Sequence, residues 1–412
     1  MAASPFSRRI LLSLAASLAL AGCGRSGSAR GSEGAGAPVS RKAAAEAPGD
    51  LRYAEVFTRM RSGDTMLITV HRPWQGARGD RVYRLVPRAG GTGAEPDPAG
   101  AETLTVRVPV GRAATLTTTN LRHLEGIGAL DALAGVGGAR YVCSPEVRAR
   151  LADGRIRDVG EDMHLDLEAL ALLRPDLVFT FVVGGSSDGG LGKLAELGMP
   201  AVIDGSYMEE SPLGRAEWIK FTAGFFGKER AADSIFAGID SAYLALAAKA
   251  AGAGTRPTVV VGAPFAGNWW VPGGRTYVAR LLADAGADYA WADDTTRGSL
   301  NLDLEAVLAR AGKAAIWIDA GDWADLADAR AKDPRFALFR AWREGAVWKN
   351  DRAVCAGGGR DFFESGAARP DWVLADLIAI LHPGLLPDHE MRFYRRLPAG
   401  AASAARARED AQ

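Results

Sequence analysis

The pentapeptide LDLEA stands at residues 165–169 and again at 302–306, and each copy opens a helical pattern that runs on into an apolar strand, DLVFTFVV or AAIWID. Writing the same helix-to-strand step twice, far apart, constrains the chain to two similar α/β units. In each copy the Asp, Asp166 or Asp303, is spaced to cap the helix by accepting a hydrogen bond from a backbone N–H that lacks an intrahelical partner. The leucine before it, Leu165 or Leu302, can pack on Leu170 or Val307 one turn further in, as a hydrophobic staple. Glu168 and Glu305 fall at the second helical position, where the helix dipole favours a carboxylate by roughly 0.3–1 kcal/mol and the side chain points to solvent. On residue physics alone these are two well-started helices.

Around the two copies, strand and helix patterns alternate from about residue 113 and begin afresh at PTVVVGAPF. Between them GRAEWIKFTAGFFGKERAADSIFAGIDSAYLALAAKAAGAG has helical spacing and no proline, so a long helix is expected to join the units. The alternating stretches MLITVHRPW, RVYRLVP and TLTVRVPV read as a small β structure ahead of the first unit. The expected fold is α/β: two Rossmann-like lobes with parallel sheets joined by a long α-helix, plus a small N-terminal β extension. The boundaries fall at 51–112 for the extension, 113–213 for the first lobe, 214–254 for the connector, 255–392 for the second lobe with its closing helix, and 393–412 for a tail.

The N-terminal SRRILLSLAASLALAGCGR carries two arginines, a short apolar run and a cysteine, the pattern of an export signal. Its Leu20-Ala21-Gly22-Cys23 looks like a bacterial lipobox, which makes residues 1–22 a lipoprotein signal peptide, Cys23 the lipidation site and 23–50 a flexible tether. A Sec or a twin-arginine route fits equally. The expected location is periplasmic, lipid-anchored to a membrane of the cell envelope. Lysine plus arginine equals aspartate plus glutamate at 49 each, with no long block of one sign, so nothing points to nucleic acid. Cys143 and Cys355 lie in different halves and read first as small buried apolar residues; pairing them is the alternative open to an exported protein, at the cost of hindering relative motion of the halves.

Ligands of open parallel sheets sit beyond the carboxyl ends of the strands. The loops there offer Tyr141, His164 and Tyr207 in the first lobe and Trp269, Trp270, Arg275, Arg360 and Phe362 in the second as ligand-binding candidates. Adjacent tryptophans in a Pro- and Gly-flanked loop cannot both face one core, and an exposed ring would stack on a planar macrocycle or catechol. The arginines suit carboxylates of an anionic chelate. No two of the five histidines have metal-ligand spacing on one helix face, so no bound metal ion is expected, although His164 alone could meet a haem iron or corrinoid cobalt. There is no nucleophile elbow, zincin motif or P-loop, and no catalytic residue or cofactor is expected.

The segment LDLEALALLRPDLVFT, the order of lobe, long helix and lobe, and the closing GRDFFESGAARPDWVLADLIAILHP resemble the periplasmic substrate-binding proteins of ABC importers for iron complexes, haem and cobalamin. The resemblance covers roughly residues 113–387. It implies a monomeric binder that captures a metal chelate between its lobes, a ferric siderophore first and haem or cobalamin otherwise, and delivers it to an ABC permease dimer in the inner membrane. It also implies that Glu168 and Glu305 dock on that permease, one from each lobe. A periplasmic tetrapyrrole chelatase on a similar fold is the enzymatic alternative and would need His164 to converge with Glu161 or Asp162. A structural lipoprotein with a decayed cleft is a third class, and predicts no tight ligand. The long connector should permit only small closure of the lobes.

Overall fold

In the stretch TMLITV every second side chain, Met66, Ile68 and Val70, is buried, and this period-two pattern sets the middle of a sheet. The computed structural model describes residues 51–89, 102–161, 164–182 and 189–400. The export signal, Cys23, the tether, the end of the tail, Asp162 and most of the expected cleft loop 183–190 lie outside the described residues. The first sheet joins β1 (Phe57–Ser62), β2 (Thr65–Val70), β3 (Arg81–Pro87) and β4 (Glu102–Val108), antiparallel except for the β3–β4 pair.

This extension is fastened to the body by aromatic and carboxylate contacts. Phe57 packs edge-on against Trp218 at 4.8 Å, and the Tyr83 hydroxyl accepts the backbone N–H of Ile203 at 2.9 Å. Buried Glu217 accepts the N–H groups of Arg52, Tyr53 and Ala54, while buried Glu209 accepts those of Glu55 and Val56. The extension, both lobes and the connector therefore share one continuous core.

In the first lobe β5 (Ala113–Thr115), β6 (Leu133–Val136), β7 (Arg157–Asp158), β10 (Leu177–Thr180) and β11 (Ala201–Ile203) form a five-stranded parallel sheet in the order β11-β10-β5-β6-β7. A small hairpin, β8 (Gly160–Glu161) with β9 (His164–Leu165), leads into the first LDLEA helix. Neighbours on β10 divide between clusters, Leu177 and Phe179 toward the shared core and Val178 toward a smaller one with Leu170 and Leu194, so both faces of the sheet are covered. In GVGGAR the strand β6 ends at Val136, ahead of Gly137 and Gly138. A Cβ at Gly137 would stand 3.0 Å from the Leu116 Cα, so the two strand ends meet only because that side chain is missing.

The connector is the 23-residue helix Glu229–Ala251, preceded by the shorter helices Pro212–Ala216 and Ile219–Gly224. In the second lobe the parallel sheet has only three strands, β12 (Thr258–Val261), β15 (Asp288–Tyr289) and β17 (Ile316–Ile318), in the order β15-β12-β17. Beside it β13 (Pro264–Phe265), β14 (Asn268–Pro272) and β16 (Ser299–Leu302) form an antiparallel sheet, and β18 (Trp348–Lys349) pairs with β19 (Arg395–Arg396). The strand that precedes the second LDLEA helix belongs to that side sheet; its residues are all partly or fully exposed. Both LDLEA helices are capped as expected, Asp166 accepting from Ala169 N–H at 2.8 Å and Asp303 from Ala306 N–H at 2.7 Å.

Candidate functional site

The loops after the parallel strands enclose two adjoining chambers. One, of about 390 Å³, lies between the lobes, walled by residues that follow β5, β6, β7 and β10, including Thr117, Gly138, Tyr141 and Glu161, and on the other side by 358–360 and Phe363. The other, of about 630 Å³, lies within the second lobe beyond β12 and β17, with Phe265, Trp270, Asp319, Trp323, Phe362 and Tyr394 among its walls. Arg360 and Phe363 line both chambers and stand at their junction. Phe265, Trp270 and Phe363 are 79 %, 52 % and 54 % exposed, a concentration of open apolar surface on the chamber walls.

Trp269 and Trp270 part company. The pair sits in β14 rather than in a loop, and a strand sends neighbours to opposite faces. Trp269 is fully buried, stacked on Trp317 at 5.3 Å with its Nε1 donating to the Val261 carbonyl, so it is a core residue and leaves the set of ligand-binding candidates. Trp270 faces the larger chamber.

Arg360 precedes the helix Asp361–Ala368 and donates to Asn350 Oδ1 at 3.1 Å while pairing with Asp322. Phe362 meets Phe363, Phe393 and Tyr394 edge-on at 5.3–5.9 Å and is thereby fixed in the wall. Tyr141 lines the interlobe chamber with the Arg140 guanidinium 4.4 Å from its ring centre, and Arg140 in turn pairs with Glu161.

Three candidates stand apart. Arg275 is spent on an ion pair with Glu210 at 3.0 Å, which Arg297 also joins, and among the described residues it lines neither chamber. The Tyr207 hydroxyl donates to the Val182 carbonyl at 2.8 Å, an internal bond of the first lobe, and the ring is likewise absent from the described walls. His164 is exposed opposite Glu161 in the β8–β9 hairpin, and Glu161 alone of that pair reaches a chamber. Glu161 is held by Arg140, and Asp162, the other carboxylate a chelatase could use with His164, lies outside the described residues. Among the described residues no group of His, Cys, Asp and Glu is placed to hold a metal ion.

The reading of Cys143 and Cys355 as separate buried residues is overturned. They form a disulfide, with their Cα atoms 5.3 Å apart, between the rims of the two lobes. Around it Glu364 of the second lobe accepts the N–H groups of Cys143 and Ser144, both at 2.8 Å. Burial pushes that carboxyl up to about 7, with the two N–H groups pulling it down. Gly357 and Gly359 lie so close to the opposite rim that a Cβ would stand 1.8 Å from the Arg140 carbonyl oxygen and 2.0 Å from that of Tyr141. The rim is thus joined by a covalent bond, a carboxylate clamp and side-chain-free backbone contact.

Asp319 and Asp322, which the sequence reading passed over, occupy the turn after β17. Their signal in the sequence is their place at the carboxyl end of AAIWID, where ligand-facing loops of parallel sheets begin.

Glu168 and Glu305 are exposed at the second position of their helices, as expected. Glu168 borders a shallow depression with Arg112, Arg174 and the 66 % exposed Leu172, and Glu305 pairs with Arg335.

The sequence profile of the periplasmic binding protein family matches residues 114–352. An uncharacterized lipoprotein of Methanocaldococcus jannaschii is 28 % identical over 298 residues, 70 % of this chain and 69 % of its own length. Among solved structures, Helicobacter pylori CeuE with Ni(II) bound has a TM-score of 0.52 at 18 % identity, covering 70 % of this chain and 88 % of that one. A possible iron-binding, periplasmic solute-binding protein from Staphylococcus epidermidis has a TM-score of 0.51 at 17 % identity, with 66 % and 99 % covered. A periplasmic heme binding protein from Pseudomonas aeruginosa has a TM-score of 0.50 at 20 % identity, with 66 % and 93 % covered.

Proposed function

Since this chain belongs to the periplasmic binding protein family, whose members bind solutes and are not enzymes, we propose that it captures a metal chelate at the two-chamber site and hands it to an ABC permease. The observation that carries this reading is the ring of open aromatic side chains, Phe265, Trp270 and Phe363, around chambers of about 630 and 390 Å³ with Arg360 between them. A chelate with apolar or aromatic surface, the wrapped shell of a ferric siderophore or the face of a tetrapyrrole, packs on such rings and keeps its polar oxygens at the guanidinium. Names of structural neighbours that mention iron and heme support the class of ligand, with a ferric siderophore first and haem or cobalamin as the others. The lipid anchor at Cys23, and with it a place on the outer side of a membrane, is supported by the lipobox and by the lipoprotein relative. Glu168 and Glu305 are the proposed docking carboxylates, one per lobe, for a two-subunit permease.

The test is titration of the purified protein with haem, cobalamin and ferric siderophores, followed by visible absorbance and tryptophan fluorescence. At least one should give a saturable change, and Trp270→Ala should weaken it about tenfold, the worth of one aromatic stack. A flat response to all three classes would remove the ligand assignment.

A further inference from the structure

The larger chamber is walled by four charged side chains, Asp319, Asp322, Lys332 and Arg360. Three of them are already matched: Arg360 pairs with Asp322 and also donates to Asn350, and the Lys332 ammonium lies 3.4 Å from Asp328. Asp319 is left over. Its Oδ1 is buried and has no hydrogen-bond partner among the described residues, while Tyr394 supplies a hydrogen bond to its carboxyl group.

The backbone fixes where that carboxylate stands. Asp319 follows directly on β17 and adopts the left-handed region at φ 56°, a conformation that aspartate tolerates better than most residues. On either side the chain is anchored, Gly262 N–H donating to the Ile318 carbonyl at 2.9 Å and Ala320 N–H to the Trp348 carbonyl at 3.1 Å. Two residues on, a Cβ at Gly321 would stand 3.0 Å from the Trp323 ring and 3.1 Å from the Ala263 Cβ, so the turn is closely packed. A non-glycine residue held at positive φ in a cavity wall, carrying an unmatched acceptor, is the kind of outlier that points to function. Burial pushes the carboxyl up to about 6, with the Tyr394 hydrogen bond and the Arg360 charge pulling it down, as expected for an acid short of partners.

We infer that Asp319 is a specificity-determining residue that receives a cationic N–H group of the ligand, a primary ammonium, so that the site prefers chelates with a positive tail to neutral or polyanionic ones. An ammonium there would give Oδ1 a donor and the Asp319 carboxylate a direct counter-charge. It would also lie among the rings of Trp323, Tyr394 and Phe362, whose faces attract cations. The inference rests on the capture reading and sharpens it. The Arg360 guanidinium, already shared between Asp322 and Asn350, is left to bond the neutral oxygens of a chelate core instead of neutralising an anionic one.

The experiment uses two matched probes, a ferric trihydroxamate with a free primary ammonium tail and the same chelate with that amine acetylated. Quenching of tryptophan fluorescence reads their affinities for the wild-type protein and for Asp319→Asn. The wild type should prefer the ammonium form at least tenfold. Asp319→Asn should reduce that preference below threefold while leaving the acetylated form within about twofold of wild type, the worth of one charge-assisted hydrogen bond being removed. Should the variant fail to fold, the wild-type comparison alone decides. Equal affinities in the wild type, or a preference that survives in a folded Asp319→Asn, would overturn the inference. So would binding of haem or cobalamin with neither trihydroxamate bound, which leaves the capture reading standing. No response to any chelate would overturn both.

Discussion

Glu209 is 2 % exposed and accepts N–H groups from Glu55 and Val56 and from the Trp218 indole, so one carboxyl group ties the start of the extension to the body. Burial pushes it up from 4.5 to about 7, against those three hydrogen bonds. Between these values the folded protein holds a proton that the unfolded chain releases, so this group makes stability fall as pH rises through that window. The shift corresponds to on the order of 3 kcal/mol. In Glu209→Gln that slope should vanish, and denaturation midpoints of the two proteins from pH 4.5 to 7.5 should drift in favour of the variant by about that amount. A constant gap would mean that the N–H donors keep Glu209 ionised throughout. Buried His123, lowered to about 4 by burial, tilts stability the other way in both proteins and cancels in the difference. At this scale the sequence was legible where chemistry is local: the caps Asp166 and Asp303 depend on residues three positions away. Trp269, Asp319 and Glu209 escaped because their roles are set by strand phase, a left-handed turn and a distant backbone.

Elements were legible through their periods, and their partners were not. The strands of the extension, the alternation of β and α, and the connector helix all follow from spacing of apolar residues. Period two tells which face of β2 is buried, but not that Phe57 and Tyr83 of the neighbouring strands meet Trp218 and Phe221 of the connector region. The second parallel sheet has three strands, and the strand ahead of the second LDLEA, which spacing did not single out, joins the side sheet with β14. Nor does spacing reveal a bridge between cysteines 212 residues apart. Closing so long a loop restricts the unfolded chain strongly, and removal of the bridge by Cys143→Ser with Cys355→Ser should cost about 2–4 kcal/mol. Urea denaturation of the oxidised wild type and the double variant measures it. A loss below about 1 kcal/mol would show that the Glu364 clamp and the glycine contacts hold the rim unaided.

For the molecule as a whole, the repeated LDLEA places one exposed carboxylate on each lobe, and the joined rim and shared core hold the lobes in a fixed relation. A fixed pair of charges suits a fixed pair of receptor sites. Under the proposed docking, reversing both Glu168 and Glu305 to Lys should abolish uptake of the bound chelate in cells while ligand affinity stays within about twofold. Undiminished uptake by that double variant would end the docking reading. Glu305 starts from an ion pair with Arg335, so docking there exchanges one cation for another, whereas Glu168 stands beside open apolar surface at Leu172. The bridged rim also has a consequence in time. If the bridge leaves only a small closing step after encounter, the proposed capture should follow one-stage kinetics, with an observed rate that climbs in proportion to ligand concentration.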